Sequence, residues 1–469
     1  MNEDKSYYFC GIGGSGMLPL AMIVAAGGTR VAGSDRALDQ GRLAAKFQWL
    51  KDRGIRLFQQ DGSGLTESSQ ILIASAAIED SVPDVARAIE LGCKRMTRAE
   101  LLAEHFNAVD RSIAVGGTSG KSTVTGMIGW ILTDAGLDPT IMNGAVMKNF
   151  VDAEAPFASS RVGSGGLMVS EVDESDGSIA LFNPEIAVLN NVSLDHKSLE
   201  ELHELFGDFV TKSRHAIWNL DDAESGVLVK RCDIGKASSF GFSAGADFQA
   251  LAVRETALGS NFILRTKGEE HEVALQVPGR HNIANALAAV AAACAVGVPV
   301  ERATAAVGSF QGLARRFDIV GTARDITVID DFGHNPDKIA ATLRTLKAFP
   351  GRIIAFFQPH GFGPIKKMGA ELAAVFTDYL DKDDRVILCD PVYFGGTVDR
   401  SFGSDFIVDA IVAAGGNAEH IPARSDCGDR IAQIAQPGDR VVIMGARDDS
   451  LHIFAESILV AIAEEPQSL

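Results

Sequence analysis

Twice in this chain a short apolar run leads straight into a glycine-rich turn and then into a helical pattern. The first turn is Gly11-Ile12-Gly13-Gly14-Ser15-Gly16, which follows Tyr7 to Cys10 and fits G-x-G-x-x-G; Asp35 stands at the end of the next β-rich run. The second is Gly117-Thr118-Ser119-Gly120-Lys121-Ser122-Thr123, which follows Ser112 to Val115. A strand that ends on such a turn hands over to a helix packed back on its own sheet. Successive strands then run parallel, and helices cover both faces. The fold class this predicts is α/β.

The periodicity falls into three such series. Residues 7–105 alternate β-rich runs (Tyr7 to Ile12, Thr29 to Gly33, Gln70 to Ala74) with helical ones (Leu38 to Arg53, Pro83 to Leu91). A second series opens at Ser112, with a helix after Gly120 and strands over 166–170 and 185–190. It contains three alternating runs between Asp247 and Val277 that read as a small antiparallel meander. A third follows Arg316, with strands over 326–329, 352–357, 385–389 and 440–444 and a helix over 337–347. The junctions predict three domains: a Rossmann-like one over 1–108, a P-loop ATPase-like one over 109–314 that holds the meander, and a second Rossmann-like one over 315–469. The longest weakly polar run, Ile283 to Val300, is Ala-rich and holds Asn285, Gly297 and Pro299, which suits a core helix better than a membrane span.

Charge narrows the class of partner. With 43 Lys and Arg against 61 Asp and Glu the formal charge is −18, which argues against a chain-wide basic surface for nucleic acid or anionic lipid. A polyanionic small molecule would have to be held locally, by loop amides, helix N-termini, a metal ion and a few placed cations. The six cysteines show no C-x-x-C spacing and the sequence opens without a basic and then apolar leader, so a reduced, cytoplasmic protein is expected.

The turns carry chemistry in their residue types. Gly11 to Gly16 lets a backbone approach a pyrophosphate at a helix N-terminus, and taken alone suggests a nicotinamide cofactor or a ligand-free tight turn. Gly117 to Thr123 lacks the first glycine of a strict Walker A, yet offers consecutive amides for phosphate oxygens, Lys121 for the β/γ charge and Ser122 for Mg²⁺. Glu171-Val172-Asp173-Glu174-Ser175-Asp176-Gly177 and Asn190 to His196 each follow a predicted strand and would reach the same rim, as metal ligands or as helix caps. Arg315-Arg316-Phe317 lies at the second junction, where an arginine could reach a γ-phosphate or simply face water. Asp330-Asp331-Phe332-Gly333-His334 and Gln358-Pro359-His360 end the first two strands predicted for the third domain.

The order of these motifs resembles the Mur ligase family of peptidoglycan synthesis over nearly the whole chain. It is most similar to the members that join L-alanine to UDP-N-acetylmuramate, through Gly11 to Met17, Glu171 to Gly177 and Phe357 to His360. The resemblance implies an ATP-dependent amide ligase that works through an acyl phosphate, with ATP and Mg²⁺ as cofactors. Its partners would be UDP-N-acetylmuramate and an amino acid or short peptide, without nucleic acid or membrane, in a monomer or weak dimer. The roles it implies place Lys121, Glu171, His196 and Arg316 in catalysis, with Ser122, Glu171 and His196 on metal. Gly117, Thr118, Ser119, Gly120, Lys121, Ser122 and Thr123 would hold the nucleotide phosphates, and His281, Asn282, Asn285 and Asp331 the rest of the nucleotide. Gly11, Gly13, Gly14, Ser15, Gly16, Asp35 and Ser75 would bind the UDP-sugar, and His334 and His360 the substrate side of the third domain. Three segments depart from the pattern: Thr118-Ser119-Gly120-Lys121-Ser122-Thr123 stands where those members carry Thr-His-Gly-Lys-Thr-Thr, His334-Asn335 where they pair histidines, and Gly361-Phe362-Gly363-Pro364 where they carry Arg-Tyr-Thr-Arg. The amine acceptor is therefore open among alanine, another amino acid and the preformed tripeptide of a recycling ligase. A regulatory homologue without activity is the further alternative.

Overall fold

A computed structural model describes residues 5–76, 78–193, 197–392, 402–446 and 448–464. The chain divides into two compact units, Met1–Gly312 and Leu313–Leu469. Among the described residues it holds three sheets.

The first sheet has the order β3-β2-β1-β4-β5. Its strands are β1 (Ser6–Cys10), β2 (Arg30–Ser34), β3 (Arg56–Phe58), β4 (Gln70–Ala74) and β5 (Lys94–Thr97), all parallel. Alternation along β1 explains why both faces are covered. Tyr7 and Phe9 enter a core with α1 (Met17–Ala26) and α5 (Arg98–Asn107), while Tyr8 and Cys10 meet Val85 and Ala88 of α4 (Pro83–Leu91). The helix expected over 38–53 is broken into α2 (Arg36–Asp39) and α3 (Ala44–Asp52). Gly41 and Leu43 both take positive φ (67° and 54°), which ends α-helical geometry between them.

The second sheet is ten-stranded, in the order β15-β14-β13-β12-β11-β10-β6-β9-β7-β8. It comprises β6 (Arg111–Gly116), β7 (Thr140–Met142), β8 (Ser160–Arg161), β9 (Leu167–Glu171), β10 (Ile186–Leu189), β11 (His215–Asn219), β12 (Ala237–Gly241), β13 (Phe248–Thr256), β14 (Gly259–Thr266) and β15 (Glu269–Leu275). The meander of β13 to β15 continues the parallel sheet, because β13 pairs with β12. Central β6 lies between β9 and β10, so the turn after it is flanked by the ends of both. Helices α6 (Lys121–Asp134) and α9 (Arg280–Ala295) pack together on this sheet, with α7 (Leu199–Thr211), α8 (Ala223–Arg231) and α10 (Val300–Gly308) completing the layers. The run from Ile283 is buried around most of α9, as a core helix is. No helix among the described residues is long and apolar enough to cross a membrane.

The unit from Leu313 carries a six-stranded sheet, β16-β17-β21-β18-β19-β20. These are β16 (Asp318–Ala323), β17 (Ile326–Asp331), β18 (Ile353–Gln358), β19 (Arg385–Leu388), β20 (Ala418–His420) and β21 (Arg440–Gly445). Helices α11 (Pro336–Lys347), α12 (Phe362–Tyr379) and α13 (Ser404–Ala413) share one core, and α14 (Arg424–Ile434) and α15 (Ser450–Glu464) the other. Since β21 enters between β17 and β18, chain leaves neighbouring strand ends toward opposite faces. In doubly wound sheets such a divergence is where ligand crevices form, at the carboxyl ends of the strands. Strand β16, which the hydrophobic pattern does not single out, is antiparallel to β17 across Arg324 and Asp325, both at positive φ. A two-residue turn with both centres at positive φ matches the twist of a hairpin, but it is ordinarily written with Asn or Gly.

Candidate active site

The turn after β6 is shaped by what lies beneath it. Gly117 (φ 127°) would bring a Cβ to 3.0 Å from the Asn191 amide, and at Gly120 (φ 82°) a Cβ would overlap the side-chain amides of Asn190 and Asn285. The Thr118 amide donates to Asn191 O (3.1 Å) and the Ser119 amide to Asn191 Oδ1 (2.9 Å). Asn190 Nδ2 donates to Ser119 O (2.9 Å) and Asn285 Oδ1 (3.0 Å), Asn285 Nδ2 to Asn282 Oδ1 (3.1 Å), and Asn282 Nδ2 to Pro278 O (2.7 Å). Asn282 and Asn285, expected at the nucleotide, are thus buried in a chain of amides that underpins the loop. Neighbouring His281 is exposed.

Lys121, Ser122 and Thr123 form the first turn of α6, and two of them meet the acidic string that follows β9. Lys121 Nζ donates to Gly117 O (2.8 Å) and Glu174 Oε2 (2.6 Å), and Ser122 Oγ donates to Glu171 Oε2 (2.6 Å). Burial pushes the Asp173 carboxyl up, but Lys121, the Ser175 amide and hydroxyl and Arg98 outweigh it and hold the group below the ordinary carboxylate range. Three predicted residues are therefore together: Lys121, Ser122 and Glu171. A hydroxyl and a carboxylate oxygen this close are hard-oxygen donors of the kind Mg²⁺ takes. His196 lies outside the described residues.

The glycine turn after β1 is closed by its own hydrogen bonds. Gly11 N and Ile12 N share Ser34 O (2.9 Å each), Gly13 N donates to Asp35 Oδ2 (2.8 Å), and Gly14 N to Gly11 O (3.1 Å). Asp35 Oδ1 also caps α2 by accepting from Ala37 N (2.8 Å), so both carboxylate oxygens serve backbone amides. The Ser15 and Gly16 amides take no partner among the described residues and stand at the N-terminus of α1. Arg98 lies along Gly16, where a Cβ would come 2.9 Å from its Cδ and 3.2 Å from its Nε. Buried Lys46 donates to Gly13 O (3.3 Å). Ser75 follows β4, the parallel neighbour of β1, and so borders the same turn.

In the unit from Leu313 the two arginines diverge. Arg315 is buried and donates to Asp448 O (3.0 Å) and Gly445 O (2.7 Å), whereas the Arg316 guanidinium lies 4.4 Å from the Phe332 ring centre. Asp331 accepts from Phe317 N (2.8 Å), Gly333 N (3.0 Å) and Thr342 Oγ1 (2.7 Å), which fastens the turn it stands on. His334 holds its Nδ1 2.8 Å from Phe332 O and meets the His360 ring edge-on at 5.4 Å. Burial, aided by Lys338, His360 and Arg316, takes its pKa down to about 3, so the imidazole is neutral with Nδ1 as donor. Gly361 (φ 137°) turns the chain into α12, and Lys366 lies over Phe402.

Family models cover the chain in three pieces: the Mur ligase family catalytic domain over residues 6–109, the Mur ligase middle domain over 115–293, and the Mur ligase glutamate ligase domain over 315–447. The UDP-N-acetylmuramate–L-alanine ligase of Geotalea uraniireducens is 33% identical over 455 residues, 94% of this chain and 95% of that protein. This chain belongs to the Mur ligase family. The ligase of the same name from Agrobacterium fabrum is 34% identical over 456 residues, 94% of this chain and 93% of its own. In fold, this Mur ligase is similar to the crystal structure of the UDP-N-acetylmuramate-alanine ligase of Thermotoga maritima (TM-score 0.80, 24% identity, 97% and 98% of the two chains). It is also similar to a murein peptide ligase of Psychrobacter arcticus (TM-score 0.73, 24% identity, 98% and 99%).

Sequence reasoning left three residues of this Mur ligase without a place at the site. Glu174 was one acidic residue among four, and nothing in its spacing says that it faces Lys121. Arg98 opens α5, 82 residues beyond the Gly16 it touches, and Lys46 belongs to a helix whose start the pattern misplaced. The signal available for Arg98 was its position directly after Thr97, which makes a capping box with Glu100 and so fixes where α5 starts.

Proposed function

We propose that this Mur ligase joins UDP-N-acetylmuramate to L-alanine by forming an amide, with ATP split to ADP and phosphate. The observation that carries the reading is the pair of glycine turns in one unit. One has Lys121 and the Ser122–Glu171 pair at a helix N-terminus; the other has the Ser15 and Gly16 amides, without a partner among the described residues, beside Arg98 and Lys46. One turn suits a nucleoside triphosphate and the other the diphosphate of a sugar nucleotide. A dehydrogenase would leave Lys121 and Glu171 without work. The choice of L-alanine rests on relatives of that name that are a third identical over nearly the whole chain.

In this reading residues 1–108 bind the UDP-sugar, 109–314 bind ATP and 315–469 bring the amine. Ser122 and Glu171, with His196 by resemblance, would hold Mg²⁺, which neutralises charge on the phosphoryl oxygens when bound. Lys121 and the amides of Gly120 to Thr123 orient the triphosphate, since those of Thr118 and Ser119 are taken by Asn191, and Arg316 is assigned to phosphate charge by resemblance alone. The muramoyl carboxylate attacks the γ-phosphorus and ADP leaves; the amine then attacks the acyl carbon of the acyl phosphate, and phosphate leaves with the amine's proton released. Ser15, Gly16 and Arg98 fix the sugar nucleotide so that its carboxylate is presented in one orientation. Neutral His334, beside His360, would offer Nε2 as a hydrogen-bond acceptor to the incoming amine.

Phosphate release in a panel of amines tests this. With Mg²⁺-ATP and UDP-N-acetylmuramate, release is expected with L-alanine and absent without an amine. Release with the tripeptide instead would replace alanine as the acceptor, and no release with any amine despite tight ATP binding would sink the ligase reading.

A further inference from the structure

Lys121 is gripped on two sides. Its ammonium donates to the Gly117 carbonyl at 2.8 Å and to Glu174 Oε2 at 2.6 Å, and an ammonium has three donors, so one is left for an anion seated in the loop. Glu174 is 5% exposed, and Lys121 is the one hydrogen-bond partner of its side chain among the described residues. Its backbone is tied down as well: Gly177 N donates to Glu174 O (3.0 Å), Ser175 N to Asp173 Oδ1 (3.0 Å) and Ile179 N to Asp173 O (2.9 Å). Glu171, three residues earlier, instead takes the Ser122 hydroxyl. The acidic string therefore divides its work, with one carboxylate on the hydroxyl and another on the ammonium.

A lysine ammonium rides on a flexible four-carbon stem, and left alone it would sample many positions about the loop. A carboxylate this buried is stable only while its counter-charge stays in place, so the pair is a fixed point. We propose that Glu174 is a positioning residue that aims Lys121 Nζ at the phosphoryl oxygens of the nucleotide. This rests on the reading of Gly117 to Thr123 as the ATP loop. The rival is that Glu174 is a placeholder that occupies Lys121 until a phosphate displaces it. With so little exposure and a tethered backbone, Glu174 has no path of retreat toward solvent.

The two ideas differ in sign. In calorimetric titrations of the full-length protein with Mg²⁺-ATP, ADP and adenosine, Glu174→Ala should weaken ATP and ADP about tenfold or more and leave adenosine unchanged. Glu174→Gln keeps an oxygen acceptor in the same place and should recover most of that loss. In phosphate-release assays Glu174→Ala should lower kcat and leave the KM values for the sugar nucleotide and the amine as they were. Tighter ATP binding by Glu174→Ala would establish the placeholder and overturn the proposal. Unchanged binding of all three ligands would also overturn it, as would an equal loss for adenosine and ATP, which marks a structural role. A wild-type protein that binds no Mg²⁺-ATP would remove the ATP-loop assignment itself.

Discussion

At Gly120 the backbone stands at φ 82° with the Asn190 and Asn285 side chains where a Cβ would go, so conformation and space both demand glycine. That glycine, Lys121 and Ser122 were legible in the sequence because their roles are local: a turn, a charge and a hydroxyl at fixed offsets. Asn190 was not, because its importance is a contact with Ser119 across 71 positions. His334 illustrates the same limit, for no sequence rule says that its ring will be buried beside Lys338, His360 and Arg316. Its folded-state pKa of about 3 lies below the ordinary 6.5, so on acidification the unfolded chain takes up the proton first. The stability this group contributes is complete above pH 6.5 and is lost as the pH falls from there toward 3. Denaturant melts at several pH values should show a decline of up to about 1.4 kcal/mol per pH unit from this group. The decline should be shallower by that amount in His334→Gln. Equal slopes in the two proteins would contradict the assignment.

Among the elements, α9 was the most legible, since a long weakly polar run with Arg280 and His281 at its head can only be buried lengthwise. Its alanines are packed on nearly all sides, with Ala288, Ala289 and Ala292 fully buried. A small side chain is required wherever a helix is covered this closely. Ala289→Leu should therefore overpack the core and cost about 1–3 kcal/mol, seen as a lower melting temperature and denaturant midpoint. No loss would mean that room exists beside α9. The elements that escaped notice have physical reasons in common. Strands over 56–58, 140–142, 160–161 and 418–420 are two or three residues long, too short for alternation to register. The β16 hairpin turns on Arg324 and Asp325, residues that do not advertise positive φ. The expected helix over 38–53 kept its apolar spacing across a break that Gly41 and Leu43 impose through backbone angle alone.

On the scale of the whole molecule, the α/β class followed from the two glycine turns, and the family models match residues 6–109, 115–293 and 315–447. The two compact units are a coarser division, because the first two sheets form one of them. A charge of −18 now has a concrete consequence. On the proposed function, polyanionic substrates would meet single cations in place of a basic surface, at Lys121, Arg98 and Lys46 of the first unit, and a metal ion at the Ser122–Glu171 pair. The least legible part is the stretch over residues 361–364, whose resemblance to the family is weakest and which forms the start of α12. What unites the account is that a muramoyl carboxylate is activated by phosphoryl transfer before the amine arrives. UDP-N-acetylmuramate carrying ¹⁸O in its carboxylate, turned over with Mg²⁺-ATP and L-alanine, distinguishes this from every other use of ATP. With both carboxylate oxygens labelled, mass spectrometry should find one ¹⁸O atom in the released phosphate per amide formed and one kept in the amide; amide formed with the departing ¹⁸O in water and unlabelled phosphate would contradict it.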